Sequence, residues 1–254
     1  MLTTATVHSD LRCAAAIYAD TNAFTLSALS PSRLLWDAIP RDIDTIRHQP
    51  TTEIRGYCQQ LADDAQMFSS QIRDLMVDRK LIVLDQIKTE VQGQKGRTQG
   101  LRGRADQRFP FAPPDLVRKS LSFQMAAHDH GLAAQQPQVE RQLVVDIMHR
   151  LSSFWHDERA RFGEQGESVN DKLLFATAAA NAIMIENGAA NYGTVVLVSR
   201  DFNHVFRMYR KREELLRPIC KKNKFLFPRN FLFHPTFQDI RASMSEPTRY
   251  PKTH

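Results

Sequence analysis

Three short, nearly unbroken apolar runs constrain this chain more than any other feature: Ala14-Ala15-Ala16-Ile17-Tyr18-Ala19, Leu81-Ile82-Val83-Leu84 and Val195-Val196-Leu197-Val198. Each lacks the polar alternation of a half-exposed strand and is shorter than an ordinary helix. Residues apolar on both faces suit parallel strands covered from each side. Between the runs lie long segments whose apolar residues recur at three- and four-residue steps. Strand, helix, strand, helix predicts an α/β fold: an open parallel sheet flanked by helices.

The remaining segments fill in that outline. Residues 21–38 read as a helix interrupted by Pro31, and 51–77 as a long helix with Ile54, Tyr57, Cys58, Leu61, Ala65, Phe68, Ile72, Leu75 and Met76 on its apolar stripe. Asp85 is placed to cap the next helix. Residues 93–108 hold four glycines and five basic side chains with few apolar residues, which predicts a flexible loop. Helices are expected over 115–130 and 139–162. A further helix starts at Asp171, with Asn170 as cap and Gly188 as its stop. Residues 201–217 read as helix, with Pro218 near its end, and 224–227 as a last strand. The expectation is one domain over 1–254, with 92–169 a helical insertion that begins with the basic flexible loop.

Bulk properties narrow the partners. The net charge of +6 favours a polyanion. No run of 18 or more apolar residues is present, so no membrane partner is expected. The start Met1-Leu2-Thr3-Thr4 lacks a basic region followed by an apolar core, and Cys13, Cys58 and Cys220 form no C-x-x-C pair. Together these point to a reducing, intracellular setting, cytoplasmic or nuclear, with Cys13 a small buried residue of the first strand.

Four acids stand in telling places. Asp20 ends the first apolar run, Glu90 follows the second, Asp171 opens a long apolar segment and Asp201 follows the third run after Ser199-Arg200. In open α/β sheets, sites form at the carboxyl ends of the strands. Acids gathered there make a site for a hard cation such as Mg²⁺. Each acid alone has a duller reading, as a turn former or helix cap. The joint pattern favours the cation.

The order and setting of these pieces resemble the PIN-domain nuclease family. Asp20-Thr21-Asn22 is similar to that family's strand-Asp-Thr-Asn opening. Leu81-Ile82-Val83-Leu84-Asp85-Gln86-Ile87-Lys88-Thr89-Glu90 resembles its second strand and glutamate-bearing helix. Asn170-Asp171-Lys172-Leu173-Leu174-Phe175-Ala176-Thr177-Ala178 and Val195-Val196-Leu197-Val198-Ser199-Arg200-Asp201-Phe202-Asn203 resemble its third and fourth acidic segments, and Lys224-Phe225-Leu226-Phe227 its last short strand. The resemblance covers about half the chain; the 92–169 segment is much longer than in compact members.

The resemblance implies a PIN-like fold and a metal-dependent endoribonuclease using Mg²⁺ or Mn²⁺ on single-stranded RNA. Asp20, Glu90, Asp171 and Asp201 would be the catalytic, metal-binding acids. Asp20 and Asp201 would ligate directly, while Glu90 and Asp171 would bind the metal, directly or through water, or orient the attacking water. Asn22 and Ser199 would be their hydrogen-bond partners. Such a cation supplies an activated water and charge neutralisation at phosphorus.

Two basic stretches suit a phosphate backbone: Lys95, Arg97, Arg102 and Arg104, with Arg108, and then Arg207, Arg210 and Lys211, with further cations to Lys224. Phe202, Phe206 and Tyr209 interleave with the second stretch, where they could stack on bases; for Phe206 and Tyr209 the core is the stronger expectation. A solvated surface is the plainer reading of the charges. A protein partner through the insertion, and homo-oligomerisation, stay open.

Two other functions compete. One is a PIN-like scaffold that binds RNA or protein without cutting. The other is a haloacid-dehalogenase-type phosphatase, but Asn22 stands where its second Asp belongs. His128-Asp129-His130 and His156-Asp157 match no common zinc spacing and read as polar helix surface. Neither a Gly-x-Ser-x-Gly elbow nor a P-loop is present.

Overall fold

The computed structural model describes residues 10–26, 51–109, 112–162, 168–188, 193–235 and 237. The apolar runs form β1 (Ala14–Ala19), β2 (Leu81–Ile82) and β3 (Thr194–Val198), joined by β4 (Phe231–His234). They make one open sheet in the order β2–β1–β3–β4, and every pair is parallel. Ile17, Tyr18 and Val195 to Val198 are fully buried, as strands covered on both faces must be.

The helices, in chain order, are α1 (Thr51–Val77), α2 (Asp85–Gly103), α3 (Ala105–Arg108), α4 (Pro114–Ala133), α5 (Arg141–Phe162), α6 (Val169–Glu186), α7 (Val205–Arg210) and α8 (Arg212–Asn223). A 3₁₀ turn, Thr21–Phe24, follows β1. The helix α6 buries Leu174 to Ala180 without a break, the pattern of a helix enclosed on all sides. It packs on β1 and β3, and α5 packs on it in turn. Gly188, at φ +88°, takes the left-handed position just past its end, as the sequence predicts. The long helix α1 buries Cys58, Leu61, Ala65, Phe68, Ile72 and Leu75 as its stripe requires.

The connections fix where a site can form. From β1 the chain leaves toward β2 on one side of the sheet, while β3 leads to β4 on the other. The order therefore reverses between β1 and β3, the kind of switch point at whose carboxyl side sites form in open α/β sheets. Asp20 follows the last residue of β1, and Ser199 follows the last residue of β3.

The structure revises several local expectations. The basic flexible loop is helix: α2 runs unbroken through Gly93, Gly96 and Gly100 to Gly103. Burial of Ile87, Val91 and Thr98 on one face, packed on α4, outweighs the poor helix propensity of glycine. Residues in 92–169 contribute to the same core as the sheet. Val117, Leu121, Ala127, Ile147 and Leu151 share one core with Ile17 and Val196.

Asp85 is the first residue of α2 rather than its cap, and accepts a hydrogen bond from Gln136 Nε2 at 2.5 Å. Ser168, not Asn170, caps α6. Residues 224–227 are not a strand; the fourth strand forms at Phe231–His234, where Phe231 and Phe233 bury their rings. Pro218 lies inside α8. The helix expected over 201–217 is divided at Lys211, where α7 ends and α8 begins. Cys13 is exposed, one residue before β1. The predicted 21–38 helix is a single 3₁₀ turn at its start, and its residues 27–38 lie outside the described residues. The side chains of Ile54 and Tyr57 lie outside them as well.

His128 is no surface residue. It is fully buried in α4, its Nε2 3.2 Å from Gln124 Nε2 and 3.4 Å from Thr25 Oγ1. Burial holds its pKa down at about 4, so the ring is neutral at physiological pH. Among the described residues no helix is long and apolar enough to cross a membrane.

Candidate metal centre

Asp20 is 3% exposed. Its Oδ1 accepts the Thr21 N–H at 2.6 Å, capping the 3₁₀ turn, and its Oδ2 accepts the Ser199 hydroxyl at 2.9 Å. The same Ser199 oxygen accepts the Asp201 N–H at 3.0 Å. One buried hydroxyl thus couples the ends of two adjacent strands.

Asp201 turns the chain after β3. Its Oδ1 accepts the N–H groups of Asn203 and His204, at 2.9 and 2.8 Å. Its Oδ2 lies 2.9 Å from His204 Nδ1, and Asp171 Oδ2 lies 3.7 Å from the same nitrogen. The fixing of Asp171 is again local: its N–H donates to the Ser168 hydroxyl at the start of α6. Ligand atoms of Asp171, Asp201 and His204 all fall within 4.8 Å of one another.

Glu90 reaches the site from α2. Thr21 Oγ1 donates to its Oε2 and Asn170 Nδ2 to its Oε1, both at 2.6 Å. Thr21 and Asn170 adjoin Asp20 and Asp171 in sequence, so Glu90 is tied to both. All four predicted acids therefore converge, although they come from four separate segments.

Their electrostatics fit a cation. Burial, then the neighbouring charges of Asp201 and Glu90, push Asp20 up to about 6 against the pull of its two hydrogen bonds. Burial, then Asp20 and Asp201, push Asp171 up to about 7. Carboxylates this close repel one another unless protons or a metal ion intervene. A donor set of carboxylate oxygens with one imidazole suits Mn²⁺ or Mg²⁺. Asp171, Asp201 and His204 are the residues that would hold it; Asp20, expected as a direct ligand, and Glu90 fall outside that group of ligand atoms.

The supporting residues differ from those expected. Ser199 bonds to Asp20 as the sequence reading has it, but Asn22 is exposed and its side chain has no hydrogen-bond partner among the described residues. Its expected part falls to Thr21 and Asn170. His204 was not anticipated; its spacing of three from Asp201, in a turn, was the one available signal. The His128 and His130 pair takes no part in this group.

The basic residues lie on the two helices rooted at the site. Lys95, Arg97, Arg102 and Arg104 run along or just past α2, which carries Glu90 near its start. Arg102 stands about 18 Å beyond Glu90 along the axis, twelve residues at ~1.5 Å each. Lys95 pairs with Asp129 at 2.5 Å and Arg102 donates to Ser122, while Arg97 is exposed. Arg207 and Arg210 lie on α7 and Lys211 just after it; Arg207 lies over the Trp155 ring and Lys211 pairs with Glu214. Such exposed pairs are weak and exchange readily for a phosphate.

No family model, curated protein or solved structure matches the chain.

Proposed function

We propose that this chain is a PIN-like nuclease that hydrolyses phosphodiester bonds of single-stranded RNA with the aid of Mn²⁺ or Mg²⁺. One observation carries the reading: Thr21, Asn170, Ser199 and His204 link Asp20, Glu90, Asp171 and Asp201 into one network beside the switch point of a parallel sheet. A divalent cation bound there supplies an activated water and offsets charge on the phosphate.

The chain's own groups do the rest. Asp171 and Asp201 bind the cation, and Asp201 fixes the His204 ring beside them. Asp20, gripped by Ser199 and Thr21, adds negative charge from below. Glu90, held at both oxygens, orients the water that attacks phosphorus. That attack forms one P–O bond and breaks another, leaving a phosphate monoester and a free hydroxyl. Arg97 and Arg210, exposed on helices that start at the site, meet the flanking phosphates.

A phosphatase in which Asp20 is the nucleophile fits less well. Both of its carboxyl oxygens are hydrogen-bonded and the side chain is buried. The deciding assay is cleavage of end-labelled single-stranded RNA. Cutting with Mn²⁺, lost with EDTA and with Asp20→Asn or Asp201→Asn, is the expected result. RNA bound but left intact by the wild type would instead mark a scaffold. Phosphate released from small esters, with RNA intact, would mark a phosphatase.

A further inference from the structure

Phe202, the residue after Asp201, lines a cavity of about 330 Å³, at the lower end of the range for small-ligand sites. Aromatic rings wall it. Phe202 stacks edge-on against Phe206 at 5.6 Å, Phe206 lies 5.0 Å from Phe233, and Tyr209 lies 5.5 Å from Phe233. Phe202 is 44% exposed, so one ring of the cavity wall faces solvent.

The cavity is not purely apolar. His234, 1% exposed at the end of β4, lines it together with Asp10. His234 Nε2 lies 3.2 Å from Asp10 Oδ2 but off the hydrogen-bonding direction, and its Nδ1 has no partner among the described residues. A buried ring nitrogen without a partner is costly unless something else supplies one. Arg207 and Arg210 come from α7, which also provides Phe206 and Tyr209. Flat apolar walls, a polar end and cationic flanks together match one chemistry: a planar heterocycle attached to a phosphate chain.

We propose that this cavity holds a nucleobase of the single-stranded substrate, next to the phosphate presented to the acids. Phe202 stacks on the base, and His234 with Asp10 meets its polar edge. The inference deepens the nuclease reading and rests on it. It also makes the site selective for unpaired strands, because a base inside a duplex cannot enter.

The test uses the full chain carrying Asp171→Asn, which prevents cutting, with EDTA present. Affinity is measured for a short single-stranded RNA and for an abasic strand of equal length. Asp171→Asn protein is expected to bind the base-bearing strand roughly 5- to 100-fold more tightly, the range for one base–aromatic stack. Adding Phe202→Ala is expected to erase that preference and leave abasic affinity and melting temperature unchanged, while Phe202→Trp keeps it. A preference that survives Phe202→Ala overturns the base pocket. Equal, salt-sensitive binding of both strands overturns the pocket and leaves the nuclease reading intact. Failure of both strands to bind removes the pocket and the nuclease reading alike.

Discussion

The Ser199 hydroxyl donates to Asp20 Oδ2 at 2.9 Å across 179 positions of sequence, and its oxygen accepts from the Asp201 backbone. Ser199 is fully buried, so no water replaces it. Ser199→Ala removes a bond that favours the ionised carboxyl, and the pKa of Asp20 moves up from about 6. Cation affinity should then fall about 10- to 100-fold, as for other residues that orient metal ligands. The acid limb of the Mn²⁺-dependent rate should move to higher pH, and Ser199→Thr should restore it. An acid limb identical in Ser199→Ala and wild type contradicts the role given to this hydroxyl.

Asp20 and Asp171 also govern stability without metal. Both have folded-state values raised above those of an unfolded carboxyl, to about 6 and about 7. The folded state therefore binds protons more tightly than the unfolded one. The resulting stability is complete below about pH 4 and is lost as pH rises through 6 to 7. In EDTA the melting temperature should drop by several degrees between pH 5 and 8, since each kcal/mol is worth roughly 2–4 °C at this size. Asp171→Asn should raise the pH 8 value while abolishing stabilisation by Mn²⁺. Calorimetry in EDTA and in Mn²⁺ checks both signs.

His204 gives the site a nitrogen ligand among oxygens. Imidazole nitrogen favours Mn²⁺ over the harder Mg²⁺. Titration calorimetry should find tighter Mn²⁺ binding in the wild type. His204→Ala should weaken Mn²⁺ about 10-fold or more and Mg²⁺ distinctly less. If both ions weaken equally, the ring serves only to steady Asp201, to which it lies 2.9 Å away.

The acids were legible in sequence because each sits at a fixed point of a simple pattern. An apolar run can end at an Asp in only one place, and parallel strands bring such ends to one edge. The partners of those acids were not legible. Asn22 and Thr21 are neighbours in the chain, yet the turn aims Thr21 at Glu90 and leaves Asn22 in water. Asn170 looked like a cap because it precedes an apolar helix, but Ser168 begins that helix and frees Asn170 for Glu90. His204 joins a candidate ligand group only because a packed α6 brings Asp171 to within 3.7 Å of it. Local pattern carries the strand ends, and tertiary packing decides which polar neighbour faces inward.

The same contest between local preference and packing explains the misread α2, and it can be measured there. A methyl group added at Gly93, Gly96 or Gly103 would meet nothing within 4 Å, and none of these glycines has a positive φ. Each therefore carries glycine's helix penalty without a steric reason. Gly93→Ala and Gly96→Ala should each stabilise the fold by about 0.5–1 kcal/mol. Gly131 on α4 is the opposite case. A methyl there would lie 2.8 Å from the fully buried Phe24 ring, in the turn that starts at Asp20. Gly131→Ala should cost about 1–3 kcal/mol by overpacking, and by moving Phe24 it should also lower metal affinity. Urea unfolding of the three variants, with Mn²⁺ titration of each, separates the two classes. Stabilisation by Gly131→Ala, or loss of stability in Gly93→Ala, would contradict the packing described for α2 and α4.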